Sequence, residues 1–518
     1  MFARTKTPLA IVALLLGGSV ALANPEPRWP VPGTTVAGLE LILRAQTDRL
    51  ARAAESLQGA GAGRIDLNNT LHIAVEREAT MLELIDAAPA LAVQNALAAD
   101  QRDRLPASVQ QHVEQTTTET GILEVLGWVA EDGRIGYQRY LVVGERRLRL
   151  AVDRISRDYK TGTVLTVNGI VLGDWMAAEN RGLIVRERAP TATRVAVDRN
   201  ATRVETALIV NINFSDLVEQ PWTIAFAINR FAEIATWYEE GSYNQMTLAS
   251  DIAGWFTIAA SSVVCDYRAF QDQAEESARA AGFEPNNYDH VVMTFPRVES
   301  CGFSGLAELG GRYVWLNNTI GYGVATHELG HNLGLLHSHS TRCSDGPLDG
   351  TCETAEYGDR FDTMGYAAGG AHYHGSYRAY VGWIPASDVR TLVPSDGEVV
   401  VALRSAESPF GTRVLRVQRR GLDDYLNIET REAVGFDSVL AKFPAVMTGV
   451  EVYVGATLSD QSIIDVAYKT ETADDAPLQL GDTLYDHEGD VSITALFDRE
   501  GERYVCVHYD LSTRGCAF

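Results

Sequence analysis

Cysteine is absent from this 518-residue chain before Cys265; all six cysteines, Cys265, Cys301, Cys343, Cys352, Cys506 and Cys516, follow. That excludes a disulfide framework or a thiolate ligand in the N-terminal half. Long apolar runs are missing too. Only Leu9 to Val20 approaches one, and it is too short and glycine-broken to span a bilayer, so no membrane anchor is expected. Positive charge is scarce: 44 Lys and Arg face 68 Asp and Glu, a net charge of −24, which argues against nucleic acid or an anionic membrane as partner. There is no internal repeat or low-complexity tract. No EF-hand or nonapeptide motif occurs either, so Ca2+, although compatible with so acidic a chain, has no motif to support it.

The N-terminus reads as a targeting segment. Arg4 and Lys6 form a basic head, Leu9 to Val20 an apolar stretch, and Ala21-Leu22-Ala23 a small-residue cleavage site. Residues 1–23 are expected to be a signal peptide and the chain to be secreted or, alternatively, periplasmic. In that setting an even number of cysteines implies disulfides. Proximity suggests Cys343–Cys352 and Cys506–Cys516, leaving Cys265–Cys301; cysteine as a metal ligand is the competing use.

Hydrophobic spacing divides the remainder. Residues 36–104 carry leucines at helical intervals (Leu39, Leu43, Leu50, Leu57), broken at 59–63. Short β runs over 115–185, such as Ile122 to Trp128 and Tyr137 to Val143, predict a small β-barrel or sandwich, OB-like in one version. Nothing in 24–190 carries chemistry, so this span reads as a pro-region or an accessory domain. A strand (Ala207 to Phe214), a helix (Trp222 to Glu239), a strand ending near Trp255, a helix (Tyr267 to Ala281) and a strand (Val291 to Phe295) then predict a mostly parallel sheet packed by helices. After Pro385 the pattern turns all-β, predicting a β-sandwich over 386–518.

The densest chemistry lies between Thr326 and His337, in the pattern H-E-x-x-H-x-x-G-x-x-H. At a rise of ~1.5 Å and ~100° per residue, His327 and His331 share one helix face and can grip one ion, while Glu328 is rotated to address a water instead. Gly334 supplies the positive φ that ends the helix. His337 returns as third ligand, leaving a position open, as catalytic rather than structural zinc requires. Five fixed positions coincide by chance on the order of 10⁻⁵ times per chain of this composition. The spacing thus predicts one Zn2+ on His327, His331 and His337, a water made acidic by it, and Glu328 as general base. Six of the 11 histidines fall between His327 and His374; His339, His372 and His374 read as solvated loop residues, with a pocket-lining role as the alternative.

A second phrase runs from Tyr357 to Tyr366, Y-G-D-R-F-D-T-M-G-Y, with Met364 placed 27 residues after His337. With Tyr288-Asp289-His290-Val291-Val292, Cys301 to Ala307 and Gly310 to Asn317 ahead of the histidines, it resembles the gametolysin family of metzincin zinc metalloproteases. The resemblance covers about residues 200 to 385. It implies a metzincin catalytic domain over 200–385, a mixed sheet with helices, within a multidomain α+β chain, and it places Met364 in a tight turn beneath the histidines. It also implies that Ser304, Gly305, Leu306 and Ala307 lie in an antiparallel edge strand, where an extended polypeptide substrate would pair. Some metzincins carry a tyrosine two residues after that methionine, as a further ligand or a transition-state hydrogen-bond donor. Tyr366 has this spacing; the alternative is a tyrosine packed beneath the site.

The expected function is that of a secreted zinc endopeptidase. The alternatives are a catalytically decayed scaffold kept for binding or adhesion, and a zinc hydrolase of non-peptide amides. Residues 24–190 are expected to suppress activity, by steric blocking or through Asp174, since Gly173-Asp174 faintly resembles the Gly-Asp of astacin-type pro-segments. Cleavage preference, natural substrate and oligomeric state are not legible in the residues.

Overall fold

The structure, a computed structural model, describes residues 35–57, 64–129, 135–156, 159–189, 202–513 and 515–516. The signal peptide expected over residues 1–23 lies outside them. Two helices open the described chain, Val36–Ser56 and Arg64–Ala87. The first starts at Thr35, whose hydroxyl accepts the Gly38 N–H. Its Leu39 and Leu43 share a core with Met81, Leu84 and Ile85 of the second helix and with Ile170 and Leu172 of the β region that follows.

That region contains β1 (Gln115–Val129), β2 (Ile135–Val143), β3 (Arg146–Ala151), β4 (Val164–Leu172), β5 (Trp175–Ala177) and β6 (Leu183–Glu187). The first five close on themselves in the order β1-β2-β3-β5-β4-β1, β3 and β5 being parallel. Leu123, Val125, Leu141, Leu148, Leu165 and Val167 fill the inside.

The histidine-bearing region contributes β7 (Arg203–Phe214), β8 (Met246–Ile258), β9 (His290–Phe295), β10 (Gly305–Glu308) and β11 (Tyr313–Asn317). Their order is β10-β11-β9-β7-β8, parallel except for β10. Successive residues of β7 alternate between two cores. Ala207 and Ile209 face Phe231, Ile234 and Trp237 of the helix Ile224–Gly241, whereas Leu208 and Val210 face Phe270, Ala274 and Ala278 of the helix Tyr267–Ala280. Both faces of the sheet are therefore covered, as a parallel sheet needs.

Two features depart from the sequence reading. β10 is no edge: β1 runs on past the barrel and lies along its open side, fusing barrel and histidine-bearing region into one 11-stranded sheet. A 15-residue strand can do this because its first half suffices to pair with β4. The second departure is at residue 385, which is no clean boundary. The strand Ser338–Cys343 pairs in parallel with Asp460–Ile464, so the chain just after the third histidine belongs to the C-terminal sheet. That sheet, with Val414–Gln418 and Tyr425–Glu429, shares a core with a four-stranded sheet containing Glu398–Leu403 and Glu502–Tyr509. The disulfides are Cys265–Cys301, Cys343–Cys352 and Cys506–Cys516. Among the described residues no helix is long and apolar enough to cross a membrane.

Candidate metal centre

The helix Tyr322–Asn332 carries His327, Glu328 and His331. It ends as the sequence dictates: Gly334 has φ +89°, its N–H donates to the His331 carbonyl, and the Leu335 N–H reaches back to Gly330. This turn brings His337 round to the helical pair. The ligand atoms of His327, His331 and His337 lie within 4.8 Å of one another.

Each ring is oriented from behind. His327 Nδ1 lies 2.8 Å from the Thr363 carbonyl and His331 Nδ1 lies 2.9 Å from the Leu335 carbonyl; a carbonyl only accepts, so Nδ1 carries the proton and Nε2 keeps a free lone pair. His337 Nδ1 is 3.4 Å from a Glu356 carboxylate oxygen. Burial lowers all three imidazoles, His327 to about 4, so they are neutral, the form that binds a metal. The buried His331 Nε2 has no hydrogen-bond partner among the described residues. Three neutral imidazoles converging on one point, one of them with an orphaned lone pair, fit a metal ion and leave a position open.

Glu328 stands beside this point, and among the described residues neither of its carboxylate oxygens finds a hydrogen-bond partner. Desolvation alone pushes its pKa well above the usual carboxylate range. Gly305 of β10 lies against it: a Cβ there would come within 2.1 Å of Glu328 Oε1. Met364 is fully buried beneath the helix, and a Cβ on Gly330 would lie 2.5 Å from its sulfur. The turn holding Met364 is tied by Asp362, which accepts from the Met364 and His374 N–H groups, and by Asp359, which accepts from the Ser338 hydroxyl.

Tyr366 is placed elsewhere. It is 37 % exposed, with its ring beside Arg360 and Lys442. The tyrosine hydroxyl at the histidines is that of Tyr357, 3.4 Å from His327 Nε2 and 3.2 Å from His337 Nε2. Tyr357 opens the phrase that carries the family resemblance, but no spacing rule in the sequence singles it out. The second tyrosine here, Tyr137, comes from β2. Its ring centroid is 4.9 Å from that of His337 and its hydroxyl accepts the His337 N–H at 3.0 Å, a contact across 200 residues for which the sequence holds no signal.

His372 and His374 are buried, contrary to the expectation of solvated loop residues. His372 pairs with Glu240 at 3.1 Å, and His374 is stacked on Tyr453 with the tilted ring of Tyr377 also against it. His339 lies 3.8 Å from Asp460. Asp174 is exposed in the turn between β4 and β5, while His327, Glu328, His331 and His337 are all 0 % exposed.

A model of the gametolysin peptidase M11 family matches residues 222–409. No curated protein matches the chain. Among solved structures, a chain from one described as a chaperone–substrate complex is 13 % identical, with a TM-score of 0.20 over 40 % of this chain and 28 % of that one. Metalloproteinase-II from Bacteroides fragilis is also 13 % identical, with a TM-score of 0.19 over 45 % of this chain and 84 % of that one. Likenesses this loose bear on neither fold nor function. The family match stands apart from them: it spans the three histidines, Glu328 and the turn of Met364, and it supports a gametolysin-like metalloprotease in residues 222–409.

Proposed function

We propose that this chain is an exported zinc endopeptidase of metzincin type that hydrolyses extended polypeptides. The observation that carries the reading is the buried trio of neutral imidazoles with the unpartnered Glu328 carboxylate at its side. His327, His331 and His337 would hold zinc, the ion suited to three imidazoles with an open position. When bound, zinc supplies a Lewis acid that polarises a scissile carbonyl and makes water a nucleophile at neutral pH.

The chain's own residues do the rest. Glu328, its basicity raised by desolvation, takes the proton of the attacking water and passes it to the leaving amine. Thr363 and Leu335 fix the histidine tautomers through their carbonyls. The Tyr357 hydroxyl, beside two Nε2 atoms, is positioned to donate to charge developing on the substrate oxygen. Gly305 leaves room for the Glu328 carboxyl next to the strand that would align a peptide. Export is part of the proposal because of the leader-like residues 1–23 and three disulfides.

The test is cleavage of a denatured protein by the chain, freed of its N-terminal region, with and without a zinc chelator and with Glu328→Gln. Hydrolysis that persists in chelator, or in the Gln variant, would exclude this mechanism.

A further inference from the structure

Resting on the protease reading above, we infer that β1 is a built-in substrate mimic: Val125 to Val129 occupy the place of an extended polypeptide along β10 and hold the enzyme latent. The two strands are antiparallel, with Leu126 opposite Glu308, Gly127 opposite Ala307, Trp128 opposite Leu306 and Val129 opposite Gly305. At the ends, Ser304 N–H donates to the Val129 carbonyl at 2.7 Å and Leu309 N–H to the Val125 carbonyl at 2.9 Å. β10 thereby loses the free main-chain edge by which a protease would take any extended peptide.

Alternation along β1 sets what reaches the metal site. Leu126 and Trp128 turn into the core on the far face of the sheet. Gly127 between them turns toward His331, and a Cβ there would lie 2.9 Å from Nε2. The neighbouring barrel strand adds Tyr137 over His337. With β1 and Tyr137 in place, the three histidines and Glu328 are fully buried.

The same geometry explains why the strand would not be cut. Over Leu126–Val129, β1 is paired on both edges, with β2 on one side and β10 on the other. Hydrolysis requires a carbonyl carbon to become tetrahedral and the two product ends to separate, and two hydrogen-bonded ladders anchored in a closed barrel resist both. No thiolate is available, since no cysteine precedes Cys265, and Asp174 lies in an exposed turn of the barrel. Latency here rests on occupancy by a strand.

The experiment introduces a specific cleavage site within residues 190–201 of the full chain. Nicking converts an intramolecular strand into an intermolecular one, whose occupancy falls on dilution. The intact chain should be silent at every concentration, and the nicked chain should gain at least about tenfold in specific activity on dilution. Gly127→Leu, whose side chain would meet His331, should activate the intact chain without nicking. A fluorescent peptide of sequence Ile-Leu-Glu-Val-Leu-Gly-Trp-Val, that of residues 122–129, should bind the diluted nicked Glu328→Gln form and not its intact counterpart. Hydrolysis by the intact chain equal to that by the nicked chain, both measurable, would overturn the latency while leaving the protease reading standing. Peptide binding that is equal in the two forms, or missing from both, would overturn it too. Peptide binding confined to the nicked form, with no hydrolysis by any form, would uphold strand occupancy and overturn the protease reading.

Discussion

At Glu328, basicity is set by desolvation, because among the described residues no donor reaches either carboxylate oxygen. In the chain freed of β1, Glu328→Gln keeps the shape and removes the base, so kcat should fall by about 10²–10⁴ while one zinc per chain is retained, as read by metal analysis. Loss of the zinc in that variant would place Glu328 among the ligands. Tyr357 makes a separate prediction. Its hydroxyl lies 3.2 Å from His337 Nε2 and 3.4 Å from His327 Nε2, whereas Tyr366 is 37 % exposed beside Arg360 and Lys442. Tyr357→Phe should lower kcat by about 10² with little change in KM, and Tyr366→Phe should leave both within about twofold. The reverse ranking would return the role to the tyrosine that follows the methionine. That His327, Glu328 and His331 lie together was legible because a helix imposes fixed spacing on its residues, and that His337 joins them because Gly334 ends the helix and turns the chain back. Tyr357 and Tyr137 were not, since each reaches the site from a segment whose placement depends on tertiary contacts.

Between elements, legibility followed periodicity. The strands and helices from β7 to β9 have apolar alternation or helical spacing strong enough to read, and the structure has them in that order. The strand Ser338–Cys343 has no such signal: Ser-His-Ser-Thr-Arg-Cys is polar throughout and is a strand because Asp460–Ile464 pairs with it. The same C-terminal module reaches the Met364 turn through buried charge. Asp437 accepts from Arg378 at 2.9 Å and from Arg431 at 2.8 Å, and all three are 1–2 % exposed or less. Arg431 also donates to the Phe361 carbonyl, three residues before Met364. Asp437→Ala would leave two guanidinium groups buried against each other, with Glu407 as the carboxylate still in ion-pair contact with both. The expected cost is about 3–5 kcal/mol, read as a loss of denaturant midpoint at unchanged slope. A change below about 1 kcal/mol would mean that water relieves the site.

For the molecule as a whole, hydrophobic spacing divides the chain after its first residues into three parts, and the sheets run across both boundaries between them. β1 joins the barrel to the histidine-bearing region through β10, and Ser338–Cys343 joins that region to the C-terminal sheet. The two joints should behave differently. The first is a short register over four residue pairs and covers the site, which suits release. The second is continuous with buried Arg378, Asp437 and Arg431 and with the strand directly after His337, which suits permanence. A chain ended at Pro385 would strip Ser338–Cys343 of its parallel neighbour and Arg378 of its carboxylate partners, so residues 202–385 should not fold by themselves. Calorimetry and near-ultraviolet circular dichroism should show no cooperative transition for that fragment, with or without zinc, whereas residues 202–518 should give one that excess zinc raises. At a free zinc concentration of 100 times Kd the stabilisation should be about 2.7 kcal/mol. A cooperative, zinc-stabilised transition in 202–385 would instead make the C-terminal module an appendage, and the buried arginines would then have to find solvent once it is gone.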